Sequence, residues 1–362
     1  MTQEYQEYAP PLDTRPNRGF HPLLEQDHPY VFIDGCVQIW PDADFANAHR
    51  HGCTCYAVTG TRPYADCAEA LEQLMYWRLI ARNYPNLVVV ETAEEIRAAK
   101  RDGRAALLLA SQDGEFIAGK LHRVEAFYRL GLRMMIPAYN RDNLNCGGVL
   151  DRTNAGLSAF GRMVVAECNR VGLLLDCSHV SRQASLDIID ASEDPVVFSH
   201  ANPRRLVDNP RNVDDDQIKA CAEKGGVIGT VNWGPLIFRE GMTSRPTVDD
   251  YLDHIDYLAD LLGNTDHIGI GSDFSLGSYP PHSSKKDVWG HPDYADVMAD
   301  YDKYMPTYQR APERFADGFS NYTEIVPVID KMKQRGYSEA DVHKLLGGNF
   351  LRVFERAWKT PG

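Results

Sequence analysis

The sequence predicts an α/β protein, a closed (β/α)₈ barrel, and three observations lead to that prediction. Short apolar runs alternate with amphipathic segments along the chain, which is the order of parallel strands linked by helices. Eight apolar runs of strand length are present, the number that closes such a barrel. The 362 residues, 43% of them hydrophobic, are enough to bury one large core.

Each predicted strand is a short apolar run, and each predicted helix is a longer segment that mixes apolar and polar residues. The strands are Val31–Ile33, Thr54–Thr59, Ala106–Ala110, Leu132–Ala138, Gly172–Ser178, Pro195–His200, Gly226–Asn232 and His267–Gly271. The helices are Asp66–Arg82, Lys120–Leu130, Ser158–Val171, Ser181–Asp190, Asp214–Lys224 and Val248–Leu262. The run Leu87–Val90 is a candidate for one extra strand.

One domain is expected to span residues 1–362. Residues 1–28 form a polar, proline-bearing N-terminal extension, and residues 275–322 form a long polar and aromatic excursion after the eighth strand. Excursions of that kind are more often lids or subunit contacts than separate domains.

Composition argues against several classes of partner. Lys and Arg total 38 against 51 Asp and Glu, a net charge of -13, so binding to nucleic acid is not expected. No stretch approaches the twenty apolar residues that a membrane span needs, and the polar beginning of the chain does not resemble a leader peptide. A cytoplasmic protein that contacts neither membrane nor nucleic acid is therefore expected, with its eight cysteines mostly reduced.

Two histidines and a carboxylate predict a site at the carboxyl ends of the strands. His179 and His200 each close an apolar run, and Asp273 follows the eighth strand. In a barrel these ends meet at one rim, where side chains are held as metal ligands or proton carriers must be. Each histidine taken alone could equally be a buried residue with a structural role, but the set favours a site.

Other polar side chains are expected at the same rim. Asp34, Cys36 and Gln38 follow the first strand, Gln112, Asp113 and Glu115 follow the third, and Tyr139 follows the fourth. Residues of these types bind metals or move protons, and they would converge from several strands.

Seven short motifs are spread over nearly the whole chain: Ile33-Asp34-Gly35, Arg129-Leu130-Gly131-Leu132-Arg133, Leu175-Asp176-Cys177-Ser178-His179-Val180-Ser181, Phe198-Ser199-His200-Ala201-Asn202, Pro210-Arg211-Asn212-Val213, Gly269-Ile270-Gly271-Ser272-Asp273-Phe274 and Leu346-Gly347-Gly348-Asn349-Phe350. In sequence and in order they resemble the membrane (renal) dipeptidase family of zinc metallopeptidases. The resemblance implies a TIM barrel of the metal-dependent hydrolase type, and it suggests a homodimer.

The resemblance also implies a metal site that has changed in this chain. In the family two zinc ions share a bridging glutamate, one is also held by an H-x-D pair and the other by two histidines, which match His179 and His200. The H-x-D positions are Cys36 and Gln38 here, and the bridging glutamate matches Gln112. Because two anions are lost, a double cation is poorly neutralised, and zero or one zinc is expected.

A single zinc would use His179 and His200, with Asp273, the Cys36 thiolate or water completing the ligands. Asp113 and Glu115 are weak replacements for the lost carboxylates, because a shift of one residue on an extended segment reverses the direction of the side chain. For Cys36 three interpretations stay open: a packed small side chain, a metal ligand, or a nucleophile activated by a histidine.

Three further roles are implied by the resemblance. Arg211 matches the arginine that holds the substrate carboxylate, although it could instead pair with the acidic run Asp214–Asp216. Asp273 matches the acid that handles the catalytic proton. Tyr139 stands where the family has a substrate-contacting histidine, and it would donate to a developing oxyanion.

The predicted function is an enzyme of the dipeptidase family that hydrolyses, or otherwise tailors, an amide bond of a small carboxylate-bearing substrate. One alternative is a dinuclear zinc dipeptidase with substituted ligands. An alternative of another class is a metal-free pseudoenzyme that keeps the pocket as a binding module.

Overall fold

The computed structural model describes residues 23–25, 27–40, 42–277 and 314–359. Within these residues the chain forms ten strands, eight of which build the barrel. The strands are β1 (Ile33–Ile39), β2 (Cys55–Thr61), β3 (Leu87–Val89), β4 (Ala105–Ser111), β5 (Leu132–Met135), β6 (Leu174–Leu175), β7 (Val197–Phe198), β8 (Val227–Thr230), β9 (Ile268–Ile270) and β10 (Phe274–Leu276).

The barrel strands follow the order β6-β5-β4-β2-β1-β9-β8-β7, and every neighbouring pair is parallel. A parallel bridge between Asp176, which follows β6, and Val197 of β7 closes the ring. The predicted (β/α)₈ barrel is confirmed. The candidate extra strand is present as β3, which pairs with β4 outside this order.

Helices cover the outside of the strands. They are α1 (Cys67–Asn83), α2 (Ala93–Arg101), α3 (His122–Arg129), α4 (Ala159–Val171), α5 (Arg182–Ala191), α6 (Asp215–Glu223), α7 (Val248–Leu262), α8 (Ile325–Gln334), α9 (Glu339–His343) and α10 (Asn349–Ala357). The side chains of Ser158 and Ser181 accept hydrogen bonds from backbone N–H groups of the first turns of α4 and α5, and so set where these helices begin. None of the helices in the described ranges is both long and apolar enough to cross a bilayer.

The first strand lies later in the chain than the sequence predicted. The predicted strand ended at Ile33, whereas β1 runs to Ile39 because Val37 pairs with Phe274 of β10, the continuation of β9. Cys36 and Gln38 therefore lie within a strand and not in the loop after it. The bulge between Asp34 and Val37 lets this segment change its pairing from β9 to β10.

Both segments predicted to lie outside the barrel have ends that pack on it. At the end of the predicted N-terminal extension, Leu24 N donates to Arg50 O over 2.7 Å, and His28 is buried with its Nε2 2.8 Å from Gly52 O. In the predicted excursion 275–322, residues 275–276 belong to β10, and Phe319 packs edge-on against Phe274. Residues 278–313 lie outside the described residues, so the lid or contact role of the excursion stays a prediction.

Three glycines surround the carbonyl oxygen of Ser199, which follows β7. An ideal Cβ built on Gly35, Gly229 or Gly271 would lie 2.7, 2.1 or 1.7 Å from that oxygen. No side chain fits at such distances, so β1, β8 and the residue directly after β9 must carry glycine for the backbone at Ser199 to pack against them. The position of His200 therefore depends on these three strands.

Replacing Gly271 with alanine is expected to lower the free energy of unfolding by about 3 kcal/mol or more, because the new methyl group would meet backbone that cannot move away. Urea unfolding followed by circular dichroism measures the loss. Gly336→Ala is the matched control: Gly336 has φ +99° but no atom within 4 Å of its ideal Cβ, so only a backbone cost of about 1 kcal/mol is expected. Equal losses in the two variants would contradict the packing argument.

Candidate active site

The structure brings together the two histidines that the sequence placed at one rim. His179 follows β6 and His200 follows β7, and their Nε2 atoms lie 2.8 Å apart. The ring centroids are 4.9 Å apart at an interplanar angle of 55°. Both side chains are buried, with 4% and 1% of their surfaces exposed. The two Nε2 atoms therefore face one another inside the barrel mouth.

Hydrogen bonds on the far side of each ring decide which nitrogen faces the site. His179 Nδ1 lies 2.7 Å from Asn140 Oδ1, and His200 Nδ1 lies 2.7 Å from Ser199 Oγ. Ser199 donates its hydroxyl to Asp176, so its oxygen accepts from His200. Both Nδ1 atoms thus carry hydrogen, and both Nε2 atoms direct lone pairs toward each other. Two lone pairs that face one another repel, so this arrangement needs a cation between the two nitrogens, either a proton or a metal ion.

Two buried aspartates hold the backbone of the rim with the same pattern of bonds, and we call these patterns the aspartate latches. In the first, Asp176 Oδ1 accepts from the backbone N atoms of Ser178 (2.9 Å) and Ser199 (3.0 Å), and Oδ2 accepts from the Ser199 hydroxyl. In the second, Asp34 Oδ1 accepts from the backbone N atoms of Cys36 (3.1 Å) and Ser272 (2.8 Å), and Oδ2 accepts from the Ser272 hydroxyl.

The latch carboxyls are shielded from solvent, and burial raises their pKa. The pKa of Asp34 rises to about 6, although the hydroxyl of Tyr322 also donates to it over 2.6 Å. Burial raises the pKa of Asp176 as well, and the hydrogen bonds from Ser199 and Ser178 oppose that rise. Each latch orders the residue after its serine, which is His200 in one and Asp273 in the other.

Asp273 lies in a second cluster with Cys36, Gln38 and Gln112. Its Oδ1 is 3.8 Å from Cys36 Sγ and 3.5 Å from Gln38 Nε2, and Gln112 Nε2 donates to Cys36 Sγ over 3.2 Å. Gln112 Nε2 also donates to Thr59 Oγ1 over 2.9 Å. Both glutamines therefore present N–H donors, and not lone pairs, to the middle of this cluster.

The His179–His200 pair and the residues around Cys36 differ in whether their atoms could bind a metal ion. The His179–His200 pair offers two converging lone pairs, which suits one cation. Around Cys36 the amide N–H groups of Gln38 and Gln112 face a carboxylate and a sulfur, which does not suit a second cation. In the described part of the chain, no three His, Cys, Asp or Glu side chains are grouped closely enough to hold a metal. Among the described side chains, the two imidazoles are therefore the ones that fit a metal ion, with the remaining ligands from elsewhere.

Asp113 and Glu115 do not take over the lost ligand positions. Asp113 Oδ2 accepts from the backbone N of Tyr64 over 2.9 Å, and Oδ1 accepts from the backbone N of Glu115 over 3.2 Å. Burial raises the pKa of Asp113 to about 7. Glu115 is exposed on a short 3₁₀ turn after β4. Asp113 therefore organises backbone, while Glu115 faces solvent.

A strained turn after β5 holds His179 from two sides, and sequence reasoning missed its central residue. The Tyr139 ring stacks on His179 at 4.0 Å and 24°. Asn140, fully buried, has φ +60°, and the backbone N of Arg141 donates to Tyr139 O over 2.6 Å, which makes a γ-turn. Non-glycine residues rarely adopt this φ, and such strain is often retained at functional sites. In the sequence, the small amide side chain directly after the predicted site residue Tyr139 could have indicated this role.

Arg211 is buried, 4% exposed, on the loop after β7, and its backbone N donates to Asn209 Oδ1 over 3.0 Å. The acidic run that could have paired with it has other partners. Arg182 pairs with Asp214 and Asp216, and the Tyr257 hydroxyl donates to Asp215. The acidic run thus has other partners, and the substrate role of Arg211 stays a prediction.

Comparisons with known proteins agree with this barrel fold. Residues 47–299 match the family described as membrane dipeptidase, peptidase family M19. An uncharacterized dipeptidase of Schizosaccharomyces pombe, C965.12, is 33% identical over 62% of this chain and 55% of its own length. An amidohydrolase from Pseudomonas aeruginosa has a solved structure with a TM-score of 0.77 and 29% identity, covering 91% of this chain and 97% of that one.

A metallopeptidase from Rhodobacter sphaeroides, solved with a phosphinate mimic of the dipeptide L-Ala-D-Ala, has a TM-score of 0.65 and 25% identity over 82% of this chain and 77% of that one. The chain spans 55 to 64% of the length of the first curated relatives that it matches. The fold and rim define a hydrolase-type barrel. Since the family match covers most of the sequence, the chain belongs to the membrane dipeptidase family.

Asn140→Ala is expected to lower kcat for a dipeptide about tenfold to a hundredfold with little change in KM, because His179 loses the acceptor that orients its ring. Steady-state kinetics measures the split, and Asn140→Asp, which restores an acceptor, should recover part of kcat. Asn154→Ala is the matched control, since Asn154 also has positive φ (+44°) and its Oδ1 accepts from Gln183 N, away from the histidines. A similar fall in kcat in both alanine variants would mean that Asn140 acts only through stability.

Proposed function

We propose that this chain hydrolyses the amide bond of a small, carboxylate-bearing, peptide-like substrate, with at most one zinc ion per chain. The observation that carries the proposal is the His179–His200 pair, whose two Nε2 lone pairs converge over 2.8 Å while Asn140 and Ser199 hold the other nitrogens. The curated relatives are named dipeptidases, which supports an amide as the reacting group.

His179 and His200 would hold the zinc through Nε2, and the bound ion would polarise the carbonyl of the amide. Asp273, 5% exposed, would take the proton of the attacking water and deliver it to the leaving amine. Cys36 and Gln38 face Asp273 Oδ1 at 3.8 and 3.5 Å and so direct the other carboxylate oxygen away from them.

Two other side chains would bind the substrate. Arg211 would hold its carboxylate through a bidentate pair, for which a buried guanidinium is suited. Tyr139, packed on His179, would donate its hydroxyl to the oxygen that becomes negative in the transition state. Two alternatives are outcomes of the experiments below. In one, the enzyme works without a metal ion and the two histidines serve as acid and base; in the other, the chain binds a ligand without turnover. A homodimer and a cytoplasmic location stay predictions.

Asp273→Asn is expected to lower kcat for dipeptide hydrolysis at least about a hundredfold, since an amide cannot accept the proton. Release of free amino acid from L-alanyl-L-alanine and L-alanyl-D-alanine measures turnover. Asp113→Asn is the matched control: its carboxyl lies at the same rim, but its oxygens bind backbone, and an amide resembles its protonated form. Full kcat in Asp273→Asn would remove Asp273 from the mechanism. Tight binding without turnover in the unaltered chain would favour the binding module.

About one zinc per purified chain is expected from elemental mass spectrometry, and a chelator should remove both the metal and the activity. His179→Ala and His200→Ala should each lose the zinc, whereas Cys36→Ser should keep it, because Cys36 Sγ accepts from Gln112 and faces Asp273. Two tightly held zinc ions per chain would contradict the argument from the donor sets. Chelator-resistant turnover by a zinc-free chain would assign the chemistry to the histidines alone.

A further inference from the structure

An arginine at the edge of the site carries a guanidinium that pairs with no carboxylate of the described ranges. Arg141 is exposed, and among the described residues its guanidinium contacts only the Tyr64 ring, 3.8 Å from the centroid. Arg62, on the same loop as Tyr64, instead pairs with Glu69 over 2.7 Å. A guanidinium stacked on an aromatic ring keeps its N–H edge available for an anion.

The platform beneath this guanidinium is tied to the catalytic residues. The Tyr64 hydroxyl donates to Tyr139 O over 3.2 Å, and its ring meets the Tyr139 ring edge-on at 5.9 Å. Tyr64 has φ +62°, and its backbone N donates to Asp113 over 2.9 Å. Since Tyr139 stacks on His179, an unbroken series of ring contacts leads from solvent to the imidazole pair.

The order of the strands places Arg141 and Arg211 on loops on either side of the one that carries His179, and His200 shares the loop of Arg211. Arg141 lies on the loop after β5, His179 on the loop after β6 and Arg211 on the loop after β7, and these three strands are adjacent in the barrel. A substrate whose carboxylate binds Arg211 and whose amide lies at the histidines would therefore extend its other end toward Arg141.

We propose that Tyr64 and Arg141 form a second anion-binding position, which selects substrates with an acidic group on the amino-terminal side of the reacting amide. This inference rests on the proposed function. The chain carries a net charge of -13, so an anionic substrate gains from a local cation that offsets the repulsion. The substrate class is a dipeptide or related amide with one carboxylate at each end.

The test compares L-aspartyl-L-alanine with L-asparaginyl-L-alanine, which have nearly the same shape and differ in one charge. The unaltered chain should favour the aspartyl substrate about tenfold in kcat/KM, the size of one charge-assisted pair. Arg141→Gln should bring the ratio close to one, mainly by raising KM for the aspartyl substrate, and Arg141→Lys should keep part of the preference. High salt should shrink the preference in the unaltered chain.

Arg152→Gln is the matched control, since Arg152 is an exposed arginine further along the same loop and should leave the ratio unchanged. Tyr64→Leu removes the platform and should reduce the preference while Arg141 remains. A ratio that Arg141→Gln does not alter, or no preference in the unaltered chain, would overturn the proposal. Circular dichroism spectra of the variants show whether they are folded.

Calorimetric titration of both dipeptides into the Asp273→Asn chain separates this proposal from the proposed function. If the unaltered chain hydrolyses neither dipeptide but the Asp273→Asn chain binds the aspartyl one more tightly, and Arg141→Gln abolishes that difference, the hydrolase fails and the anion position stands. If both dipeptides are hydrolysed equally and bound equally, the anion position fails alone. If neither turnover nor a binding difference is seen, both fail.

Discussion

The candidate site depends on two buried carboxylates that tie neighbouring strands together at the barrel rim. Asp176 joins the end of β6 to Ser199 after β7, where the only pairing is a single bridge, and Asp34 joins β1 to Ser272 after β9. Taking a carboxylate out of water is costly, and the raised pKa values of both groups show that cost. Backbone N–H and hydroxyl donors offset it, and the same bonds place His200 and Asp273.

Packing around the first latch adds a constraint of shape to the one of charge. The Ser199 carbonyl projects among Gly35, Gly229 and Gly271, so the backbone that carries His200 lies closer to three strands than any side chain would permit. Because protein interiors are densely packed and deform little, this packing keeps the Nε2 atoms of His179 and His200 close together. The precision of the pair is thus a property of the barrel as a whole.

The two halves of the rim have opposite hydrogen-bonding character. In the His179–His200 pair, each Nδ1 donates to an acceptor outside the pair, so each Nε2 carries a lone pair that faces the other ring. The pair therefore attracts a cation. Around Cys36, the amide groups of Gln38 and Gln112 direct hydrogen atoms inward, toward a sulfur and a carboxylate. A site for two metal ions needs anions on both halves. The proposal of at most one zinc ion rests on this asymmetry.

The sequence by itself determined the barrel and the neighbourhood of the site. Alternating apolar runs and amphipathic segments specify parallel strands joined by helices, and the ends of such strands must meet, so the positions of His179, His200 and Asp273 at one rim followed from pattern alone. That Gln38 and Gln112 bring no negative charge to the rim also follows from the sequence, because the charge of a side chain is set by its residue type.

Only the tertiary structure decided the contacts that depend on distant parts of the chain. The extension of β1 to Ile39 comes from pairing with β10, more than half the chain away, which no local propensity encodes. The role of Asn140 follows from its backbone φ angle and its hydrogen bond with His179. That the Arg141 guanidinium can bind an anion follows from its contacts in the described chain, where it stacks on Tyr64 and pairs with no carboxylate. Periodicity reports which face a residue occupies, whereas bond geometry and pairing arise when separate segments pack together.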